Sequence, residues 1–454
     1  MSKKIIYLLS LLMALSLVFA GCKKASTAPT GEGPTKEDEV KPPSNLGNTG
    51  LFDTQTKLDE YKEKPIQQST EVAKYENGNY MRNPVITVVG GSTVVVFYEI
   101  RYQTAGAGND VALTGENAVS IAYVQSKDSG ISFSTTGMGE IKYVGGAASS
   151  GAADAHGAPI VFYDKTNNKI IVVASAGIGL SSGVYKAGTK ESKLEYSVAT
   201  ITDNKVGDFS QWKEIKPSDK GTITTAGYTQ YGTHSARGTV ADDGTLLLPV
   251  TLANYEQSPS KFGYVLYTGK FNNNDYTWTS TMNAVNMPNN SGVVKETRIP
   301  KGTSDSDYVY LAVSSDKVRI SQGKNGGNPT ETPIVGSDGS AGTLVVSNWY
   351  GDASYDPSNY ANSGTKQAIL SHVLGTEQNL AIRLVDENFA NQTSGNFALG
   401  GAYEANAKSS SMDVLKDGTI VMIAEGGKVT DAATRPFYIY FSRFSQAYIA
   451  NQTK

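Results

Sequence analysis

The residues able to do chemistry in this chain are mostly carboxylates, arginines and tyrosines. Histidine occurs three times, as His156, His234 and His372, and no pair has the H-x-x-x-H or H-x-H spacing typical of a zinc site. Cysteine occurs once, as Cys22, which excludes a disulfide within the chain. No serine-hydrolase elbow, phosphate loop or dinucleotide fingerprint stands in a suitable context. We therefore expect neither a metal nor a cofactor.

The composition limits both the partners and the fold class. Charged residues make up 18% of the 454 positions and the formal net charge is −3, which excludes a basic surface for nucleic acid. Tyrosine (26) is twice as frequent as phenylalanine (13), and glycine occurs 47 times. This bias favours strands, tight turns and polar clefts lined by aromatic rings. The length exceeds that of one ordinary core, which indicates two or three small domains or one large repeat architecture.

The first 21 residues are typical of a bacterial export signal. Lys3 and Lys4 precede an apolar run from Ile5 to Phe19, and two small residues then lead to Cys22. The stretch VFAGC resembles a lipoprotein box, in which Cys22 becomes the lipidated first residue. A plain signal peptide is the alternative. The resemblance implies an exported lipoprotein, held to a membrane by the lipid on Cys22, at the bacterial cell surface or in the periplasm.

Residues 22–74 have little to bury. This stretch is rich in proline, glycine, threonine and charge, a composition typical of a disordered tether. No later stretch approaches the roughly 18 consecutive apolar residues that a membrane-spanning helix requires.

Short strands recur from residue 75 to residue 454, and no helical period persists. Six runs share one form, a polar turn followed by a β-branched or apolar strand, and they begin at Gly90, Thr166, Asp242, Ser306, Ser340 and Asp417. Their spacing favours an all-β fold, a six-bladed β-propeller, over two stacked β-sandwiches. The interval between the runs at Ser306 and Ser340 is short, which indicates either a compact blade or a count wrong by one.

One turn suggests a family. Ser126 to Phe133 reads SKDSGISF, which matches the Asp-box pattern S-x-D-x-G-x-(S/T)-(F/W) of the sialidase (neuraminidase) superfamily. Asp128 can accept backbone N–H groups of its own hairpin, Gly130 supplies a left-handed position, and Phe133 anchors the turn. The resemblance covers most of the chain from about Tyr75 to Phe444 and implies a six-bladed propeller.

The resemblance also implies an arginine clamp for the carboxylate of a sialic acid. Tyr80 to Pro84 reads YMRNP, similar to the (F/Y)-R-I-P motif, so Arg82 takes the place of the first clamp arginine. The nearest candidate for the second arginine is Arg319. At the expected position of the third stands Glu377, and the nearby cation is Arg383.

Two carboxylates take the places of the family's acid and base. The glycine-rich loop after the first blade's second strand resembles the loop with the acid catalyst, where Asp110 is the best match and Glu116 the second. VVKETRI resembles the segment with a buried glutamate, which makes Glu296 the base toward a tyrosine nucleophile.

The nucleophile is the sharpest departure from the family. SSSMDVLKDGTIVMIAEGG resembles the last motif, in which Glu425 takes the place of the glutamate that supports the first arginine. Ser409 stands where the family has the tyrosine, and a serine hydroxyl is too short to substitute directly. Tyr403, a few residues upstream, is the favoured alternative nucleophile.

The resemblance thus implies a retaining exo-α-sialidase that removes terminal sialic acid from glycans or glycoproteins, and two other interpretations stay open. A site without chemistry could bind sialylated glycans through Arg82, Arg319 and an aromatic rim. A different glycan reaction could use Asp110 and Glu296 as an acid and base pair acting through water.

Overall fold

The computed structural model describes eighteen continuous stretches of three or more residues and two shorter pieces of the chain. These are residues 55–74, 78–102, 118–133, 141–148, 154–181, 185–216, 220–241, 243–280, 285–286, 293–297, 308–314, 317–323, 330–333, 341–350, 353–374, 379–385, 397–399, 407, 409–426 and 438–453. Cys22, Asp110, Glu116, Glu377 and Tyr403 lie outside the described residues.

The described strands form six small sheets, which we number as blades in chain order. Blade 1 contains β2 (Tyr80–Val89), β3 (Thr93–Arg101), β4 (Val119–Ser126) and β5 (Lys142–Tyr143). Blade 2 contains β6 (His156–Asp164), β7 (Lys169–Gly177), β8 (Ser192–Thr202), β9 (Lys205–Phe209), β10 (Lys213–Glu214) and β12 (Ala236–Arg237). Blade 3 contains β11 (Gln230–Gly232), β13 (Thr239–Val240), β14 (Leu246–Asn254), β15 (Lys261–Asn272), β16 (Asp275–Ser280) and β17 (Val285–Asn286).

The remaining blades have four described strands each. Blade 4 contains β18 (Val293–Thr297), β19 (Tyr308–Ser314), β20 (Lys317–Gly323) and β21 (Thr330–Pro333). Blade 5 contains β22 (Ala341–Asn348), β23 (Lys366–Leu374), β24 (Asn379–Val385) and β25 (Phe397–Ala398). Blade 6 contains β26 (Ser410–Val414), β27 (Ile420–Gly426), β28 (Tyr438–Phe444) and, as its outermost strand, β1 (Gln67–Ala73).

The first strands of blades 1, 2, 4, 5 and 6 lie at the hub. β2 contacts β6 and β26, β22 contacts β26, and β12 contacts β2, β18, β22 and β26. Contacts among first strands of different sheets arise when small sheets are arranged around one axis. The prediction of an all-β propeller is confirmed, and the stacked sandwiches are excluded.

The sequence of each strand reflects its place in a blade. All nine residues of β3, TVVVFYEIR, are buried, because a middle strand has a neighbouring blade on each face. Strand β8 alternates buried with exposed or half-buried positions along much of its length, as a strand nearer the rim does. The core accordingly consists of apolar layers between adjacent blades, such as the layer of Val85, Phe97 and Val172 between blades 1 and 2.

The ring is closed by the two ends of the described chain. Strand β1 pairs antiparallel with β28, with Gln67 opposite Arg443 and Glu71 opposite Tyr440. The propeller therefore begins before residue 75, inside the stretch for which the sequence predicted a tether. The stretch QQSTEVA is mostly polar, and its pairing partner lies at the other end of the chain, so no local pattern marks it as a strand.

Within the part of the chain that the structure describes, three short helices and one 3-10 helix accompany the sheets. They are α1 (Gln55–Asp59), α2 (Lys220–Thr225), α3 (Gln446–Gln452) and the 3-10 helix Pro357–Asn362. Leu58 of α1 and Ala447 of α3 share a small buried cluster with Tyr61 and Ile66. Among the helices of the described residues, none is both long and apolar enough to span a bilayer.

The short interval between the fourth and fifth runs has a structural explanation. The runs at Gly90, Thr166, Asp242, Ser306 and Asp417 lead into or form the second strands of their sheets, whereas the run at Ser340 forms β22, the first strand of blade 5. Each run thus belongs to a separate sheet. The interval before Ser340 is short because that run forms the first strand of its sheet, whereas the other five runs correspond to second strands.

The turn after β4 is held by its own side chains. Asp128 Oδ1 accepts the Ser132 backbone N–H at 2.9 Å, and Asp128 Oδ2 accepts the Ser132 hydroxyl at 2.6 Å. Gly130 has a φ of +86° and donates its N–H to the Ser126 hydroxyl at 2.8 Å. The Phe133 ring packs edge-on against Phe441 of blade 6, with the ring centroids 5.0 Å apart. The turn therefore links blade 1 to blade 6.

Substitution of Gly130 should be costly. A Cβ on Gly130 would lie 2.2 Å from the Phe441 ring, and the left-handed backbone is unfavourable for alanine. We expect Gly130→Ala to lower the free energy of unfolding by about 3 kcal/mol or more, measured by chemical denaturation. The matched control is Gly188→Ala, where φ is +76° and no atom lies within 4 Å; it should cost about 1 kcal/mol. Equal losses in both variants would contradict close packing between the two blades.

Candidate active site

Arg82 and Glu425 meet where blades 1 and 6 adjoin. The Arg82 Nε lies 3.0 Å from Glu425 Oε1 and 3.1 Å from Oε2, and the two residues are 343 positions apart. The Glu425 side chain is fully buried, whereas the Arg82 side chain is 15% exposed. A buried carboxylate thus fixes the orientation of the guanidinium of a partly exposed side chain. The geometry suits Arg82 to bind an anion arriving at this end of the hub.

The backbone at Asn83 brings Arg82 into this position. The pairing of β2 with β3 is interrupted by an irregularity between Arg82 and Val85, and Asn83 adopts a φ of +52°. The Asn83 backbone N–H donates to Glu425 Oε1. The Asn83 side-chain Nδ2 donates to Glu99 Oε1 at 2.9 Å. Asn83 therefore lies between two buried carboxylates, and asparagine tolerates the left-handed conformation better than most residues.

Glu99 anchors a second buried ion pair. Glu99 and Arg101 are two positions apart on β3 and share a face, with Arg101 Nη2 2.7 Å and Nε 2.8 Å from Glu99 Oε2. The Ala158 backbone N–H of β6 donates to Glu99 Oε1 at 2.6 Å. Both side chains are buried. Burial by itself raises the pKa of Glu99, but the Arg101 charge and the hydrogen bonds outweigh it and hold the pKa below its usual value.

The polar contacts continue from blade 2 to blade 3. The Thr233 hydroxyl donates to the Ala158 carbonyl at 2.6 Å, and the Thr233 N–H donates to the Ser175 hydroxyl at 2.7 Å. A continuous series of hydrogen bonds thus passes from blade 6 through blades 1 and 2 to blade 3. Buried polar networks of this kind are stable only when each member is satisfied, so they fix the relative positions of the blades.

His156, the first residue of β6, is held rigidly beside this network. Its Nε2 lies 2.6 Å from Glu195 Oε2, and its Nδ1 lies 2.7 Å from the Asp154 carbonyl oxygen. The ring stacks on Trp212 with centroids 4.0 Å apart and an interplanar angle of 5°. The hydrogen bond from His156 lowers the pKa of Glu195. The contacts assign His156 to the packing of blade 2.

The other candidate residues from the sequence lie on strands at different distances from the hub. Glu296 is on β18, the first strand of blade 4, which contacts β12 and β22 at the hub. Arg319 is on β20, the third strand of blade 4. Arg383 is buried on β24, the third strand of blade 5. Third strands lie two strand spacings, roughly 10 Å, from the first strand of their sheet.

The structure therefore brings Arg82 and Glu425 together and places Glu296 on a hub strand, but it puts Arg319 and Arg383 on strands further out. Sequence proximity to a motif did not reveal which strand of a blade these two arginines occupy. Ser409 lies immediately before β26, and its carbonyl accepts the Glu425 backbone N–H at 2.8 Å.

Asn83, Glu99 and Arg101 were missed by the sequence analysis. A signal for two of them was present, because Glu99 and Arg101 are the charged residues near the end of the otherwise apolar run TVVVFYEIR. Charged residues in a strand with both faces buried require partners. No local signal indicated the double role of Asn83. The described residues contain no group of three or more His, Cys, Asp or Glu placed to hold a metal ion.

No family model matches the chain, and no curated protein matches it. Solved structures do. The Hadza microbial sialidase Hz136 is 13% identical with a TM-score of 0.57, over 81% of this chain and 66% of that one. The Trypanosoma rangeli sialidase is 12% identical with a TM-score of 0.57, over 84% and 60%. The Ruminococcus gnavus intramolecular trans-sialidase, solved with oseltamivir carboxylate, is 12% identical with a TM-score of 0.56, over 85% and 98%.

The chain thus spans less than two thirds of the length of the first two sialidases and nearly all of the third. At such low identity the likeness shows the fold alone. The polypeptide has the sialidase-like propeller fold that the motifs around Arg82 and Asp128 implied.

Removal of the Glu99 carboxylate should be strongly destabilising, because it leaves the buried Arg101 guanidinium without this partner. We expect Glu99→Ala to lower the free energy of unfolding by about 3 to 5 kcal/mol. The control is Asp208→Ala, which removes a partner of Lys142 on the exposed surface and should have little effect. Similar losses in the two variants, measured by chemical denaturation, would contradict the central role of the Glu99 pair.

The same carboxylate should make stability depend on pH. The folded pKa of Glu99 is below the ordinary value of 4.5, so its ionised form stabilises the fold fully above that value. The contribution is lost as the pH falls from 4.5 toward the folded pKa. The free energy of unfolding should therefore decline more steeply below pH 4.5 in the wild type than in Glu99→Gln. Parallel pH curves would show that Glu99 is not the group responsible.

Proposed function

We propose that this protein is an exo-α-sialidase that releases terminal sialic acid from glycans or glycoproteins with retention of configuration. The observation that carries the proposal is the Arg82–Glu425 pair, a partly exposed guanidinium fixed by a buried carboxylate at the hub of a sialidase-like propeller. The carboxylate of a sialic acid is a planar acceptor that arginine can bind through two hydrogen bonds, and lysine would bind it less specifically.

In this proposal the sugar lies over Arg82, and Asp110 gives its proton to the glycosidic oxygen as that bond breaks. Tyr403 attacks the anomeric carbon while Glu296 takes the phenol proton, which forms a tyrosyl–sugar intermediate. Water then attacks the anomeric carbon, Asp110 takes a proton from that water, and Glu296 returns its proton to the tyrosine. A phenol suits this site because a carboxylate nucleophile would be repelled by the substrate's own carboxylate.

A second candidate function is binding of sialylated glycans without cleavage. The observation that favours it is Ser409 at the position of the family's nucleophile. In this alternative Arg82 still binds the carboxylate, while Asp110 and Glu296 have no covalent step to support.

For either function we propose that the propeller is an exported lipoprotein, anchored by Cys22 and facing glycans outside the bacterial cytoplasm.

The arginine can be tested with a fluorogenic α-sialoside. We expect Arg82→Lys to lower kcat/KM by about 10- to 150-fold, the loss of one charge-assisted contact. Arg383→Lys, on the third strand of blade 5, is the matched arginine control and should retain wild-type kcat/KM.

Fluorophore release by the wild type is required for the enzymatic function. If release is absent while free sialic acid raises Tm in the wild type and not in Arg82→Lys, the binding function stands; if neither occurs, both are wrong.

The nucleophile can be identified by removing each hydroxyl separately. We expect Tyr403→Phe to abolish turnover, because the phenol forms the covalent intermediate. Ser409→Ala should leave turnover nearly unchanged. Mass spectrometry of the wild type inactivated by a fluorinated sialyl fluoride should locate the adduct on Tyr403. Full activity in Tyr403→Phe would eliminate this residue as the nucleophile.

A further inference from the structure

A cavity of about 550 Å³ opens at the end of the hub opposite Arg82. It is lined by residues from the far ends of strands in blades 1, 2 and 6 and from the segment after β12, and these include Thr87, Val88, Tyr163, Arg237 and Asp413. Arg82 is near the start of β2 and Val88 near its end, a separation of roughly 15 to 20 Å along the strand. The cavity is therefore a separate site from the one that contains Arg82.

An ion pair crosses the hub at this cavity. Arg237 Nη1 of β12, in blade 2, lies 3.0 Å from Asp413 Oδ1 of β26, in blade 6. Blade 1 lies between these two blades in the ring, so the pair spans the space in front of β2. The Arg237 side chain is 33% exposed, whereas that of Asp413 is 9% exposed. Arg237 thus presents part of its guanidinium to the cavity.

The polar side chains at the cavity lining supply more hydrogen-bond donors than unoccupied acceptors. The Asp413 carboxylate is already occupied, since it accepts the Val88 N–H at 2.7 Å and the Val414 N–H at 2.8 Å in addition to Arg237. The Tyr163 hydroxyl accepts the Gly90 N–H at 3.3 Å, which leaves its proton for a ligand. Lys165, also at the lining, adds a second positive charge. The lining thus carries two positive charges, Arg237 and Lys165, and one carboxylate whose oxygens already accept hydrogen bonds. This balance favours the binding of an anion.

The size of the cavity limits the ligand. Sites for small molecules are typically about 300 to 1,000 Å³ and combine apolar walls with a few fixed polar groups. Val88, Val240 and Ala241 supply apolar surface here, and Thr166 supplies a further hydroxyl. Gly238 lies in the wall, where a Cβ would come within 2.3 Å of Phe162. The wall at Gly238 is therefore closely packed and well defined.

We propose that this cavity is a second binding site, on the face of the propeller opposite Arg82, for a small organic anion of about monosaccharide size. A carboxylate or phosphate of the ligand lies against Arg237 and Lys165, and the Tyr163 hydroxyl donates to it. The site is independent of the proposed sialidase chemistry, because none of its residues contacts Arg82 or Glu425 in the hydrogen bonds described above.

The proposal can be tested by calorimetric titration of the purified chain. The probes are glucuronate, glucose 6-phosphate and, as the uncharged control of similar size, glucose. We expect saturable binding of one molecule of glucuronate or glucose 6-phosphate per chain and none of glucose. Whichever acid binds identifies the source of the charge as carboxylate or phosphate.

Variants locate the binding. Lys165→Glu should weaken it at least about fivefold, the loss of one favourable charge contact. Lys169→Glu, a change at a half-buried position on the same hairpin but outside the lining, is the matched control and should bind as the wild type does. The double variant Arg237→Gln/Asp413→Asn removes the ion pair without leaving a buried charge unpaired, and should also weaken binding while circular dichroism remains native.

Three results would overturn the proposal. The first is the absence of saturable binding of both acids. The second is wild-type affinity in Lys165→Glu and in the double variant, which would place the ligand elsewhere. The third is loss of binding in Arg82→Lys, which would assign the anion to the first site. Since the sialoside assay depends on Arg82 and this titration does not, either proposal can fail while the other stands.

Discussion

Two carboxylates buried at the hub, Glu99 and Glu425, impose the main constraint on this structure. An unpaired buried charge costs several kcal/mol, so each carboxylate needs donors, and here the donors to the two come from more than one blade. Glu425 of blade 6 takes Arg82 and the Asn83 N–H of blade 1, and Glu99 of blade 1 takes Arg101, Asn83 and the Ala158 N–H of blade 2. Satisfying both carboxylates therefore fixes three consecutive blades against one another.

This constraint connects stability with the candidate chemistry. Glu425 binds the Nε of Arg82 and thereby fixes the orientation in which the guanidinium can meet an anion. The left-handed backbone at Asn83 turns the chain so that Arg82 and Glu425 come into contact. An arginine on a flexible loop would lose conformational entropy on binding, whereas this one is already ordered. The apolar layers between blades supply most of the buried surface. The hydrogen bonds at the hub fix the position of each blade relative to its neighbours.

The propeller has an arginine paired with a buried acid at each of its two ends. At one end the partly exposed Arg82 side chain is supported by the fully buried carboxylate of Glu425. At the other end Arg237 pairs with Asp413 across the hub, and a cavity opens beside the pair. Both ends use the same physical arrangement, a partly exposed arginine oriented by a buried acid, because the first strands converge there and leave room for few side chains.

The sequence by itself determined the fold class, since turn residues followed by β-branched runs specify strands locally and their repetition favours a ring of small sheets over stacked sandwiches. It also indicated Arg82, Glu425 and Asp128, because each belongs to a short motif with a fixed spacing. Only the tertiary structure decided the pairing of β1 with β28, the ion pair of Arg237 with Asp413 and the double role of Asn83. These depend on contacts between segments distant along the chain, whose partners no local pattern names. For the same reason the sequence could not tell that Arg319 and Arg383 occupy third strands: a strand's rank within its blade is set by pairing, not by its own residues.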